Sequence, residues 1–219
     1  MNEVFGAELP HYFKYVASGD ESTDPKLEFA GKSGDVSQLV MNIPAGTDDW
    51  FGGWDGDDPP QPQRYANEDA TSGRMVELIE RQQPAIMLCH WPGLYSHGTK
   101  QGLFDFQKVV TALHNRFSKQ TLWMKLSDIG RYWAARKLAK IRVDENRIVS
   151  IDAPISCRNF TVRFRMRPNN TPLLRFGQSA RQLREVKARD QLAEGTFWAD
   201  DEQTIVCFEL PKGMSRIEC

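Results

Sequence analysis

Four histidines, His11, His90, His97 and His114, are the side chains whose ordinary titration lies nearest neutral pH and so are first candidates for moving protons. None stands in an H-E-x-x-H or H-x-x-x-H spacing, so no histidine pair reads as a metal motif. His90 is singled out by what precedes it. Ala85-Ile86-Met87-Leu88-Cys89 is a short apolar run bounded by Pro84 and Pro92. Such a run predicts a strand buried on both faces of a parallel sheet, and the carboxyl end of such a strand opens onto the ligand crevice. An imidazole there is a candidate general acid or base. Asp48-Asp49-Trp50 stands in the same relation to a strand predicted over 36–43. A carboxylate at that place can orient an imidazole, and a Trp can wall a sugar or acyl pocket. The plainer alternatives are a histidine that merely ends a strand and an acidic surface loop, since Asp55, Asp57 and Asp58 are close by. His97 follows Tyr95 and Ser96 in the next loop, facing ligand or solvent. His114 falls on a helix surface.

The elements that would position these residues alternate. The strand at 36–43 is stopped by Pro44-Ala45-Gly46 and followed by a loop over 47–65 with no periodicity. Long loops inside compact domains are usually functional or disordered, and the aromatics Trp50, Phe51 and Trp54 argue for order. Helices are predicted over 72–83 and 103–117 and from Ser127 onward, with short strands at 85–89 and 121–124 between them. Strand-helix alternation implies parallel strands with helical crossovers. Three such strands make part of a barrel or sheet. After Lys140 the pattern changes. A hairpin is predicted around Asp144-Glu145-Asn146. A strand follows in which Phe160, Val162, Phe164 and Met166 alternate with Thr161, Arg163, Arg165 and Arg167, giving it a basic outer face. Further strands are predicted at 204–210 and 215–218, with a helix or polar excursion over 180–194. The fold class read here is α/β plus all-β.

Composition excludes several classes. The 219 residues are 40% hydrophobic and 26% charged with net charge −1, which rules out whole-chain disorder, collagen and coiled coil. No run of 18 apolar residues predicts a membrane span, and Met1-Asn2-Glu3 begins no visible secretory signal. Localisation stays open: cytoplasmic by default, secreted if an N-terminal portion precedes Met1. Charge is uneven: residues 1–60 hold 3 Lys/Arg against 12 Asp/Glu, and residues 121–219 hold 18 against 12. The basic excess is too small to argue for nucleic acid. Cys89, Cys157, Cys207 and Cys219 form no C-x-x-C pair; Cys157 and Cys207 read as buried free thiols or as a bridge. Gly93, Gly98 and Gly102 have the wrong spacing for a nucleotide fingerprint. Asn169-Asn170-Thr171 matches a glycosylation acceptor but is followed by Pro172. Arg163, Arg165 and Arg167 read as a solvated face or a contact for an acidic polymer.

The run ending Leu88-Cys89-His90, the helix containing Phe104-Asp105-Phe106-Gln107-Lys108, and Leu122-Trp123-Met124-Lys125-Leu126-Ser127-Asp128-Ile129 together resemble the closing segment of polysaccharide deacetylases. In that family a late barrel strand ends in a Leu-His pair, a helix follows, and a last strand runs into a helix start. Asp48-Asp49-Trp50 resembles the Asp-Trp motif that precedes it. The resemblance covers residues 36–139. It implies that His90 protonates the leaving amine or alcohol, that Asp49 (or Asp48) orients it, and that Trp50 lines the acetyl or sugar pocket. It also implies a partial (β/α) barrel over 1–139, followed by a small β-sandwich module over 140–219. Cys89 stands where the family places Leu beside its His. The family's catalytic aspartates and metal-binding histidines belong to earlier strands, and nothing upstream of residue 36 supplies them. A divalent metal is implied only if the barrel is completed. The chain is then truncated, completed by another subunit, or no longer catalytic.

The expected function is a carbohydrate-active hydrolase acting on a polysaccharide or oligosaccharide. The rival is a non-catalytic carbohydrate-binding module in which Trp50, Trp54, Trp91 and Tyr95 stack on sugar rings, with His97 beside them. A different α/β hydrolase in which His90 serves a nucleophile is disfavoured, because no G-x-S-x-G elbow is present. Three parallel strands leave open edges, so a homo-oligomer or poor solubility is expected. Neither a nucleic-acid nor a membrane partner is expected.

Overall fold

Leu39, Met41 and Ile43 alternate with Val40 and Asn42, and strand β3 (Leu39–Ala45) buries all three. Residues 36–38, predicted as its start, instead form a 3-10 turn, because the Asp35 carboxylate accepts the Ser37 N–H at 3.0 Å. β3 is the centre of a three-stranded sheet. It pairs parallel with β1 (His11–Val16) and antiparallel with β2 (Lys26–Phe29). β3 also runs through Pro44, predicted as a stop. The β2 pairing ends at Asn42, so the missing Pro44 N–H removes no bond from that edge.

A computed structural model describes residues 11–16 (backbone only), 22–29, 32–145, 148–165, 167–168 and 170–219. The readings that involve Met1–Glu3, Asn146, Met166 and Asn169 lie outside the described residues. The chain is a mixed helix-and-sheet protein with several sheets, and no closed barrel forms among the described residues. It divides into two compact units, Met1–Gly130 and Arg131–Cys219. The division falls inside a helix, whereas the sequence suggests a boundary at 139/140.

In the first unit the helices are α1 (Arg74–Glu80), α2 (Trp91–Tyr95) and α3 (Gln101–Phe117), and α4 (Leu126–Leu138) runs across the division. α3 buries Val109, Ala112, Leu113 and Phe117 at helical spacing. α1 is shorter than the predicted 72–83, since Gly73 and Gln82 both take positive φ at its two ends. Two predicted strands are absent. Residues 85–89 and 121–124 take no regular secondary structure and belong to no sheet among the described residues. In the first, backbone groups bond to a loop instead of a ladder. In the second, Leu122 and Trp123 stand 86% and 67% exposed.

The second unit holds two sheets. One has the order β6-β11-β10-β9, the other β4-β5-β12-β7-β8. β4 (Lys140–Val143) and β5 (Val149–Ala153) form the expected hairpin, closed by Asp144 N–H donating to Ile148 O at 3.1 Å. β6 (Cys157–Phe164) buries Phe160, Val162 and Phe164 and turns Thr161 and Arg163 outward. Its register with β11 (Thr204–Leu210) shifts between Phe208 and Leu210, a bulge in which Asn159 takes φ +50°. β12 (Gly213–Glu218) lies between β5 and β7 (Leu173–Phe176). The helix considered for 180–194 is not formed. That stretch gives β8 (Ser179–Gln182), β9 (Arg184–Glu185) and a 3-10 turn, before β10 (Thr196–Ala199).

All four cysteines are free. Burial, with Glu194 nearby, pushes the Cys207 thiol up to about 11, and burial alone does the same for Cys219. The thiolate is the reactive form, so both become reactive only as pH rises toward 11. At pH 8 native Cys207 should react with a disulfide reagent about 100-fold more slowly than the same residue in urea, a loss set by a two-unit rise in thiol pKa. Equal rates in a mass-mapped labelling time course would contradict its place in β11.

Candidate functional site

Beyond β3 the chain is tied to the segment that ends in His90. Gly46 N–H donates to Ile86 O at 3.0 Å, and Leu88 N–H donates to the Thr47 hydroxyl at 2.9 Å. These bonds stand where a sheet ladder is predicted for 85–89. They set the two segments side by side, with Asp49 level with His90.

Tyr65 fixes the junction. Its hydroxyl accepts the Trp50 N–H at 2.7 Å and lies 3.0 and 2.9 Å from the carbonyl oxygens of Asp48 and Leu88, which share its one proton. Three backbone groups from two segments therefore meet one side chain. Tyr65 is fully buried and stacks on Phe51, with ring centroids 4.2 Å apart and planes 17° from parallel. Phe51 meets Phe106 of α3 edge-on, and both Phe51 and Tyr65 belong to the core with Met75, Val76, Val109 and Leu113. Burial is the main reason the Tyr65 proton is held well above the usual phenol range. The hydroxyl serves as a fixed hydrogen-bonding group and not as an acid.

Asp49 is the centre of the site. Its Oδ1 accepts the Phe51 N–H at 3.1 Å. Its Oδ2 accepts the His90 backbone N–H at 2.6 Å and faces His90 Nδ1 at 2.8 Å. A carboxylate oxygen only accepts, so Nδ1 carries the proton of this contact. Nε2 is then left as an acceptor in the neutral ring and a donor in the charged one. The Asp49 side chain is 5% exposed and the His90 ring 27% exposed, so the carboxylate is sealed while the ring reaches solvent. Trp54 stands edge-on to the His90 ring at 4.7 Å and is itself exposed.

The loop carrying Trp54 seats on α2 and α3 through glycines. A Cβ at Gly52, whose φ is +140°, would lie 2.8 Å from Gly93 Cα, and a Cβ at Gly93 would lie 2.8 Å from Gly53 O. Gly102 sits directly against the Gly93 and Phe51 carbonyls. Gly93 and Gly102, which form no phosphate loop, are where backbone must meet backbone.

The sequence candidates separate clearly. Asp49, Trp54 and His90 come together. Asp48 enters through its carbonyl, not as the partner of His90. Trp50 packs at 4.8 Å on Tyr65, with the Arg64 guanidinium 4.2 Å over its ring, and its buried Nε1 has no hydrogen-bond partner among the described residues. Trp91 and Tyr95 of α2 are exposed beside His90 in sequence. His97 Nε2 faces Asp57 Oδ1 at 2.6 Å, with both side chains in solvent. His11 lies in β1. Tyr65 and Thr47 are the functional positions missed by sequence reasoning. Neither sits in a motif, and their work is visible only once 46–50 and 86–90 are neighbours.

Among the described residues no three His, Cys, Asp or Glu side chains gather as a metal-binding group, and both Asp49 oxygens are taken by N–H donors. These residues do not fit the divalent metal the resemblance implies, so no step is derived through one. No described helix is long and apolar enough to cross a membrane. Fold and site together define a mixed α/β protein with a buried carboxylate holding a solvent-reaching imidazole. No protein-family model, curated protein or solved structure matches the chain.

Tyr65→Phe would leave the buried Trp50 N–H without an acceptor. The expected loss is about 1–3 kcal/mol of stability in the first unit, read as a lower Tm, together with a shifted His90 ring NMR signal. An unchanged His90 signal would mean that Tyr65 does not position the pair.

Proposed function

We propose that the chain is a carbohydrate-directed hydrolase of the deacetylase type, in which His90 delivers the proton to the leaving amine or alcohol. One observation carries this function: Asp49 Oδ2 holds both the His90 backbone N–H and the ring Nδ1, leaving Nε2 toward solvent. Hydrolysis of an N- or O-acetyl group needs a proton on the departing nitrogen or oxygen. An imidazole fixed at one nitrogen presents the other in a defined direction. The positive charge on the ring before transfer is met by the Asp49 carboxylate, as in carboxylate–imidazole pairs generally. Trp54, edge-on to His90 and exposed, offers a ring face to a sugar.

The same proposal extends to the fold. The parallel β1–β3 pair, the 85–89 segment, α3 and the 121–124 segment would follow the order of the closing part of a (β/α) barrel. The two sheets of the second unit would be a sandwich. The exposure of Leu122 and Trp123 supports this, since a barrel strand with no neighbours presents apolar side chains to water.

A second reading is favoured by the exposed aromatics Trp54, Trp91 and Tyr95, which would bind saccharide without turnover. Mutation separates the two. His90→Ala should lower acetate release from an acetylated chito-oligosaccharide by about 10²–10⁴-fold with affinity kept. Asp49→Asn, which removes the charge and sets an NH2 against at least one of the three N–H groups that Asp49 accepts, should lower it by about 10²-fold or more. Trp54→Ala should weaken binding under either reading. Sugar binding with no acetate release from the unaltered chain would establish the binding module.

The exposed 121–124 segment gives a further expectation. The chain should elute as a dimer or larger species, and Leu122→Lys with Trp123→Ser should return it to monomer. A monodisperse monomer at 100 μM before substitution would count against an unpaired barrel strand.

A further inference from the structure

The second unit carries an arginine row that nothing in the proposed chemistry uses. Across the five-stranded sheet, Arg142 of β4, Ser150 of β5 and Arg216 of β12 stand opposite one another in register, and Arg175 of β7 follows. Directly opposed residues share a sheet face. The other face of the same strands holds Val149, Ile151 and Ile217, all buried, so the arginines are on the outer side. Like charges directly opposed across strands destabilise a sheet. Arg175 is relieved by Glu218, whose carboxylate accepts from Arg175 Nε at 2.7 Å. Arg142 and Arg216 have no ion pair or hydrogen bond among the described residues.

These two guanidiniums border a groove of about 470 Å³ that Ser150, Val143, Met214 and Asp152 also line. That volume lies within the roughly 300–1,000 Å³ usual for small-molecule sites. Its chemistry is mixed. The guanidiniums match a carboxylate through paired N–H donors. Ser150 and Asp152 can bond hydroxyls. Met214, exposed and opposite Asp152 on the arginine face, offers an apolar surface for the C–H face of a ring. Lys140 lies opposite Asp152 in the β4–β5 pair, and Asp144 accepts the Ile148 N–H at 2.9 Å at the groove's end. Two carboxylates at the groove oppose a phosphate backbone, whereas they suit the hydroxyls of a sugar.

We infer that this groove binds an acidic saccharide, with the carboxylate of a uronate unit held between Arg142 and Arg216. The site lies wholly in the second unit and does not depend on the role of His90.

Trigalacturonate titrated into the full chain by calorimetry tests it, with maltotriose, inorganic phosphate and a short single-stranded oligonucleotide as comparisons. Trigalacturonate should bind and should weaken as salt rises. Arg142→Ala and Arg216→Ala should each weaken it at least 10-fold. Arg142→Lys and Arg216→Lys, which keep the charge and lose the paired donors, should fall between. An unchanged circular dichroism spectrum and Tm would show that the variants fold, and His90→Ala should bind as the unaltered chain does. No binding of trigalacturonate, binding indifferent to the arginine substitutions, or equal or tighter binding of phosphate or oligonucleotide would each overturn the inference. Loss of binding in His90→Ala alone would place the saccharide at the first unit and overturn it too.

Discussion

A carboxylate that leaves water must be met by hydrogen-bond donors, and that requirement at Asp49 organises the first unit. Three N–H groups meet it: those of Phe51, the His90 backbone and the His90 ring. An isolated charge in an apolar surrounding is far more costly than any one of these bonds returns. The contact therefore persists only if the loop and the strand-like segment, 41 residues apart in sequence, are both held. The holding is done by the apolar core beneath the pair. Phe51 and Tyr65 are wholly buried and stacked, so the loop is anchored by the hydrophobic effect at both ends. Between those anchors Gly52 meets Gly93 of α2 backbone to backbone, and Gly102 of α3 meets the carbonyls of Phe51 and Gly93. The position of the imidazole is thus a consequence of packing beneath it.

This explains which parts of the molecule were legible in the sequence. α3, β6 and β11 show their periods plainly because side-chain burial alone decides them, and each appears within a few residues of expectation. The 85–89 run looks like a buried strand, but its backbone bonds go to Gly46, Thr47 and Tyr65. Periodicity reports which faces are apolar, not which groups accept the N–H bonds. The 121–124 run fails for a related reason: its side chains suit a sheet, and no described strand pairs with it. Pro44 misleads in the opposite direction, since a proline ends a strand only where its N–H would have been used. The joint prominence of Asp49 and His90 was legible because both follow apolar runs. Tyr65 was not, because a lone Tyr at the end of a polar loop has no local signal.

Burial, not distance, separates the two carboxylate–imidazole pairs. Asp49–His90 and Asp57–His97 have nearly the same separation, 2.8 and 2.6 Å. By distance alone the second is the better pair. Yet Asp57 and His97 are 71% and 68% exposed, and Asp57 reaches His97 through that one contact. Water and salt screen such a pair, and two mobile side chains lose conformational freedom to make it, so it fixes little. Asp49 is sealed from water, bonds the backbone of its partner as well as the ring, and leaves one nitrogen of that ring outside. A second bond to the same residue removes the rotation that a single contact permits. Direction, more than proximity, is what proton transfer to a bound group requires, and among the described histidines only His90 is given one.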